Sequence, residues 1–206
     1  MAEPVLAYKR WHTNAHLIRD VSKLGYIVEP VYDATPGDRG LWWDLSTWDV
    51  VANTDRGDFT DLSHIPDGIY RTVAFDPPYK LNGNPQGMAE MSTRYGIDVP
   101  SAWQDRRDLM ERGFREMLRI CRTGGHVLVK CQDQVCSGKI RWQTLWFVGW
   151  AEGRAELVDR FDLAGHSIPQ PMEGRVQKHA HGRPSTLLVF ERLTDPEPTL
   201  DLGNWA

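Results

Sequence analysis

An α/β sheet with crossover helices is the fold class this sequence predicts. Short apolar runs alternate with longer helical patterns along the 206 residues. With 41% hydrophobic content the chain can bury one substantial core. There are no repeats and no low-complexity linker, so one domain is expected over 1–193, followed by a loose tail over 194–206 that carries Pro196 and Pro198.

The elements are read in order. Residues 14–24 form a helix with Leu17, Ile18, Val21 and Leu24 on one face. Strands follow at 26–32, weakened by Pro30, at 48–53 and at 72–75. Residues 80–101, polar and dotted with Gly and Pro, are expected as a long loop of the functional kind. The stretch 103–121 is amphipathic, with Leu109, Phe114, Met117, Leu118 and Cys121 near helical spacing, and Gly124-Gly125 is the expected stop. A strand at 126–130, a loop at 131–140 and an aromatic-rich helix at 140–152 come next, and strands at 157–163 and 186–190 close the domain. Trp142, Trp146 and Trp150 recur every four residues and are expected, with Trp42 and Trp43, in the core rather than as stacking platforms.

Composition narrows the function classes. A net charge of −4 gives no global sign of a nucleic-acid partner, although a local basic face suffices for one. Three cysteines without a CxxC pair argue for reduced thiols and against a zinc site, so no metal is expected. Residues 1–9 lack an apolar signal core and no stretch reaches the ~20 apolar residues of a membrane span. A soluble cytoplasmic protein with no membrane partner is expected, with a homodimer as one open assembly.

The sharpest motif is Asp76-Pro77-Pro78-Tyr79, directly after the apolar run 72–75. Open α/β sheets place ligand chemistry at the carboxyl ends of strands. Two prolines stiffen the turn and remove two backbone donors, which leaves the Asp76 carboxylate and the Pro77 carbonyl as acceptors. Tyr79 adds a flat ring on which a base can stack. An amino group on a heteroaromatic ring is a poor nucleophile, because its lone pair is delocalised. Two acceptors gripping its hydrogens favour a pyramidal nitrogen and stabilise the charge that develops there.

Asp76-Pro77-Pro78-Tyr79 resembles the catalytic motif of the S-adenosylmethionine-dependent amino-methyltransferases, which modify adenine-N6 or cytosine-N4 in DNA, with relatives acting on guanine-N2 in RNA. Upstream, Asp33-Ala34-Thr35-Pro36-Gly37-Asp38-Arg39-Gly40 resembles their glycine-bearing cofactor loop. It departs from the family pattern, since Thr35 replaces an aromatic residue, Arg39 stands where the second glycine is expected, and Gly40 comes one place late. The resemblance implies that Asp33, Thr35, Gly37 and Gly40 line the cofactor site and that Asp55 holds the ribose. It further implies that Asp58 accepts from the adenine amino group, with Phe59 as the apolar contact beside it. Near the N-terminus, Lys9 could pair with the methionine carboxylate, and Asn14 could cap the helix or reach the cofactor.

The resemblance runs from about Tyr8 to Arg192. It implies a Rossmann-like methyltransferase fold: a mostly parallel seven-stranded sheet, helices on both faces and an antiparallel last strand. The expected activity is methyl transfer to an exocyclic amino group of DNA, with adenine favoured by the leading Asp76. RNA methylation is the alternative, as is a catalytically silent subunit that keeps the fold. For the target, the basic stretch with Arg175, Lys178, His179, His181 and Arg183 suits phosphate contacts, and a solvated charged loop would look much the same.

Overall fold

The computed structural model describes residues 4–37, 42–53, 57–82, 85–164, 178–180 and 183–194. Three strands make its centre: β4 (Tyr70–Phe75), β5 (Cys121–Cys131) and β9 (Ser185–Arg192). Their apolar residues alternate between two buried faces. Val73, Phe75, Val127, Val129, Leu188 and Phe190 point to one core, where α3 (Trp103–Ile120) and α4 (Gln143–Ala151) pack. Ala74, Leu128, Leu187 and Val189 point to the other, where α1 (Asn14–Ser22) packs through Leu17, Ile18 and Val21.

Further strands extend the sheet on each side: β2 (Val31–Asp33) and β3 (Val50–Ala52) on one, β8 (Ala155–Leu163) and the two-residue β1 (Tyr8–Lys9) on the other. The order is β1-β8-β9-β5-β4-β2-β3. β9 runs antiparallel to both its neighbours, and all other pairings in this sheet are parallel. The seven-stranded, mostly parallel sheet with helices on both faces and an antiparallel last strand is as expected. No described helix is long and apolar enough to cross a membrane. Apart from Thr194, the expected tail lies outside the described residues.

Several local readings need correction. The expected loop over 80–101 contains α2 (Pro85–Tyr95). Its punctuation is in the sequence: Pro85 stands at the first helical position, and Gly96, with φ +68°, donates to the Ser92 carbonyl after the last turn. The expected loop over 131–140 includes a hairpin, β6 (Gln134–Cys136) and β7 (Lys139–Arg141), around Ser137 and Gly138 with φ 52° and 73°. Positive φ at both central residues is what a tight two-residue hairpin requires.

Gly124-Gly125 does not end α3, because β5 begins at Cys121. The glycines lie where β5 departs from register with β4: Tyr70 pairs with Cys121 and Thr72 with His126. A Cβ on Gly125 would lie 2.7 Å from the Arg71 carbonyl oxygen, so the strand needs a glycine there. In α4 the buried positions are Gln143, Thr144, Phe147 and Ala151. Trp146 and Trp150 are only partly buried beside that stripe, and Trp142 is 41% exposed. The tryptophan stripe is therefore a flank of the core and not its centre.

Gly113, within α3, faces the Phe59 and Phe75 rings, which meet edge to face at 5.2 Å. An added Cβ would lie 2.6 Å from Phe59 Cδ2 and 2.7 Å from Phe75 Cζ. Alanine ordinarily favours a helix interior by about 1 kcal/mol over glycine, but forcing a methyl into a packed core costs about 1–3 kcal/mol. The rings are fully buried, so the second effect wins. Gly113→Ala is expected to lower Tm, by about 2–4 °C for each kcal/mol in a chain of this size. A raised Tm would mean that the rings yield.

Candidate functional site

β2 and β4 are adjacent and parallel, yet the chain between them passes through β3 on the far side of β2. That arrangement opens a topological switch at their carboxyl ends, where open α/β sheets hold ligands. β2 ends on Asp33 and β4 ends just before Asp76. Beyond the last paired residues, Ala34 N donates to the Ala74 carbonyl at 3.0 Å, and Asp76 N donates to Thr35 Oγ1 at 2.6 Å. Thr35 thus ties the glycine-bearing turn to the Asp-Pro-Pro-Tyr turn through its own hydroxyl. An aromatic residue at this position could not make that bond.

Asp33 is buried and shapes the turn. Its Oδ1 accepts from Thr35 N at 3.0 Å and its Oδ2 from Trp43 Nε1 at 2.8 Å. Burial pushes its carboxyl up to about 6; the bonds from Trp43 and Thr35 oppose the shift, and the nearby Asp76 charge adds to it. Gly37 has φ +62°, which a side chain would resist, so the turn requires glycine there.

Asp58 is exposed, and its Oδ1 accepts from Thr60 N at 2.8 Å and Thr60 Oγ1 at 2.6 Å. Phe59, expected as an apolar cofactor contact, is buried against Phe75 in the core. Asn53 joins the two loops, donating from Nδ2 to the Gly57 carbonyl at 3.0 Å and the Ala34 carbonyl at 3.3 Å. Gly40 and Asp55 lie outside the described residues.

The Asp76 turn is held from several sides. Pro77 and Pro78 are buried, and Tyr79 packs partly against the core. The Tyr79 carbonyl accepts from Gln134 Nε2 at 2.9 Å and Gln143 Nε2 at 2.6 Å. Buried Arg106 donates to the carbonyls of Lys80 and Ser101. The Pro77 carbonyl, expected as an open acceptor, receives Tyr79 N at 2.6 Å and the Tyr95 hydroxyl of α2 at 3.4 Å.

Two residues near the N-terminus have partners within the protein. Lys9 pairs with Asp20 at 3.3 Å, together with Lys23 at 2.7 Å and Trp11 Nε1 at 2.9 Å. Burial works against the charged Asp20, but those three donors outweigh it and bring its carboxyl down to about 2. Thr13, not Asn14, caps α1, accepting from His16 N at 3.4 Å. Asn14 Oδ1 instead accepts from Lys130 Nζ at 2.6 Å.

Lys130 is the site residue that sequence reasoning missed. It is buried near the carboxyl end of β5; burial lowers its pKa, while the Asp76 carboxylate raises it. Its signal was a lone lysine closing the apolar run Val127-Leu128-Val129. Among the described residues no cluster of His, Cys, Asp and Glu could hold a metal ion. Of the expected phosphate contacts, Lys178 and Arg183 are described, whereas Arg175 and His181 are not.

No family model and no curated protein matches this chain. Solved structures are similar to it. One, concerned with the conversion of a disulfide bond into a thioacetal group during echinomycin biosynthesis, superposes with a TM-score of 0.51 at 14% identity, over 93% of this chain and 88% of that one. A Thermus thermophilus protein described as a DNA modification methylase, complexed with S-adenosyl-L-methionine, gives 0.46 at 17% identity over 70% of this chain. This chain covers 57% of the Thermus protein. The N-methyltransferase NodS of Bradyrhizobium japonicum gives 0.39 at 12% identity, over 71% of this chain and 62% of that one. With the strand order, the first of these superpositions shows a Rossmann-like methyltransferase fold.

The two perturbed carboxylates act in separate pH windows. Asp33, with its folded pKa raised to about 6, binds its proton more tightly in the native state, so stability falls as pH rises from about 4 to about 6. Asp20, lowered to about 2, contributes stability above its ordinary pKa of 3.8 that is lost as pH falls towards 2. Urea melts are expected to show wild type gaining stability between pH 7 and pH 5. Asp33→Asn should remove on the order of 1 kcal/mol of that gain. An unchanged gain in the variant would show that Asp33 titrates as it does in water.

Proposed function

We propose that this chain is an S-adenosylmethionine-dependent methyltransferase acting on the exocyclic amino group of a DNA base, adenine-N6 foremost. The observation that carries this reading is the junction at the switch point. There Thr35 bonds Asp76 N at 2.6 Å, so the glycine-bearing turn and the acceptor turn share one edge of the sheet.

The residues present suit the cofactor. The left-handed turn at Gly37 permits close approach of a ligand to the backbone, and the exposed Asp58 carboxylate can accept from an adenine amino group. When bound, S-adenosylmethionine supplies a methyl group on a positively charged sulfur. Asp33 does not touch it in this reading, since both its oxygens hold the turn.

Asp76 is the principal acceptor for the substrate amino group and stabilises the positive charge that develops on its nitrogen. Lys130, held by Asn14, lies close enough to Asp76 to favour its ionised form. A second amino hydrogen takes the place of the Tyr95 hydroxyl on the Pro77 carbonyl, the longer of that carbonyl's two bonds. The Tyr79 carbonyl is clamped by Gln134 and Gln143, which sets the ring where an extrahelical base can stack on it.

Tritiated-methyl transfer to DNA and to total RNA, followed by nucleoside identification, tests the reading; N6-methyladenine in DNA is the expected product. Asp76→Ala should cut transfer by about a thousandfold or more with cofactor affinity near normal, and Asp58→Ala should weaken cofactor binding by roughly tenfold. Activity of Asp76→Ala within threefold of wild type would remove Asp76 from the mechanism. Methylated RNA with unmodified DNA would replace the substrate, and a chain that binds no cofactor would be a silent subunit.

A further inference from the structure

Beside the acceptor turn lies a surface of stacked arginine and tryptophan. Arg141, at the end of β7, lies with its guanidinium carbon 3.7 Å from the centre of the Trp103 ring. Trp103 stacks on Trp146 at 6.1 Å and 19°, and Arg107 covers Trp146 and Trp150 at 5.7 and 5.6 Å. Arg183 covers the exposed Trp142 at 4.7 Å. The surface is continuous with the site: Gln134 of the hairpin holds the Tyr79 carbonyl and accepts from Leu81 N at 2.9 Å, and Asn82 Nδ2 donates to the Val135 carbonyl at 2.7 Å. The segment before β9 joins it through a Gln132 bond to the Arg183 carbonyl at 2.8 Å and a His179–Gly138 contact at 3.1 Å.

Two of its segments carry charge of one sign. Residues 134–151 carry Lys139 and Arg141 and no carboxylate, and residues 178–183 carry Lys178 and Arg183 and again none, in a chain of net charge −4. Neither Arg141 nor Arg183 forms an ion pair among the described residues, and the buried Nε of each has no hydrogen-bond partner there. A guanidinium stacked on an indole keeps its donors in one plane with the ring face occupied, so an external acceptor meets its terminal nitrogens edge-on. That geometry matches the paired oxygens of a phosphate. Stacking also fixes the side chain beforehand, which lowers the entropy cost of binding.

We propose that Arg141 and Arg183, each stacked on a tryptophan, clamp the DNA phosphates flanking the nucleotide presented to Asp76, with the hairpin β6–β7 as the rigid arm that carries the clamp. This inference rests on the DNA-methylating reading. The hairpin fits the role because one glutamine, Gln134, binds the acceptor turn while the same hairpin ends on Arg141. Phosphate position and base position are thereby coupled through the cross-strand pair Gln134–Arg141 and one hydrogen bond.

DNA binding by the purified chain, followed by fluorescence anisotropy across a salt series, tests the clamp. Two lost phosphate contacts should reduce the slope of log K against log salt by about 2 in Arg141→Gln/Arg183→Gln, with the melting temperature as the check on folding. Arg141→Lys/Arg183→Lys should recover the slope while staying several-fold weaker, since lysine brings charge without the planar fork. The same slope in wild type and the glutamine pair would overturn the clamp and leave the methyltransferase reading standing. The lysine pair stays folded by the same check and decides the matter if the glutamine pair unfolds: affinity equal to wild type overturns the clamp. Wild type that binds neither DNA nor RNA would overturn the nucleic-acid substrate itself, and binding to RNA alone would overturn the choice of DNA.

Discussion

Three residues of β2 lie beside β4, pairing Val31 with Thr72, Tyr32 with Val73 and Asp33 with Ala74, and everything at the candidate site depends on that short parallel contact. Past its end the two chains would diverge, each entering a loop of its own. A single hydroxyl, Thr35 Oγ1, accepts the Asp76 amide and keeps them together. The constraint works in both directions. The Asp76 turn has its first amide satisfied from the neighbouring strand, so the two prolines that follow can present their carbonyls without leaving that donor orphaned. The glycine-bearing turn, for its part, is fixed by Asp33 below and Asp76 beside it, and needs no aromatic packing to hold its shape.

Interior charge follows from the same arrangement. Asp33, Asp76 and Lys130 stand at the carboxyl ends of adjacent strands β2, β4 and β5. Two carboxylates and one ammonium in a partly dry place compete: burial raises Asp33 and lowers Lys130, and the Asp76 charge raises both. The bonds from Thr35 and Trp43 tie the Asp33 carboxylate to the scaffold.

How much of this could be read beforehand differs by element. α1 and α3 were legible because each buries one stripe of a 3.6-residue period, and the central strands because both their faces are buried and their sequences are continuously apolar. The acceptor turn was legible from four consecutive residues. α2 was not, since its residues are mostly polar and only Pro85 and Gly96 mark its ends. The hairpin escaped because three-residue strands carry too little alternation to notice, although Ser137-Gly138 marked the turn. The protein partners of Lys9 and Asn14, Asp20 and Lys130, lie 11 and 116 residues away, and no local pattern shows such distances.

The position of β9 bears on how the molecule is made. It lies between β5 and β8, pairing with six residues of the one and eight of the other, and is the last of the described strands. Until it has left the ribosome, β8 with β1 cannot join the half of the sheet that holds Asp33 and Asp76. Both open edges, β5 and β8, are meanwhile exposed templates for unwanted pairing. Synthesis at about 5–20 residues per second separates the emergence of β5 from that of β9 by several seconds. The site-bearing half must therefore wait in an incomplete sheet, and contacts of such long sequence separation form slowly. In a nascent chain of this architecture the edges of β5 and β8 stay open until β9 arrives.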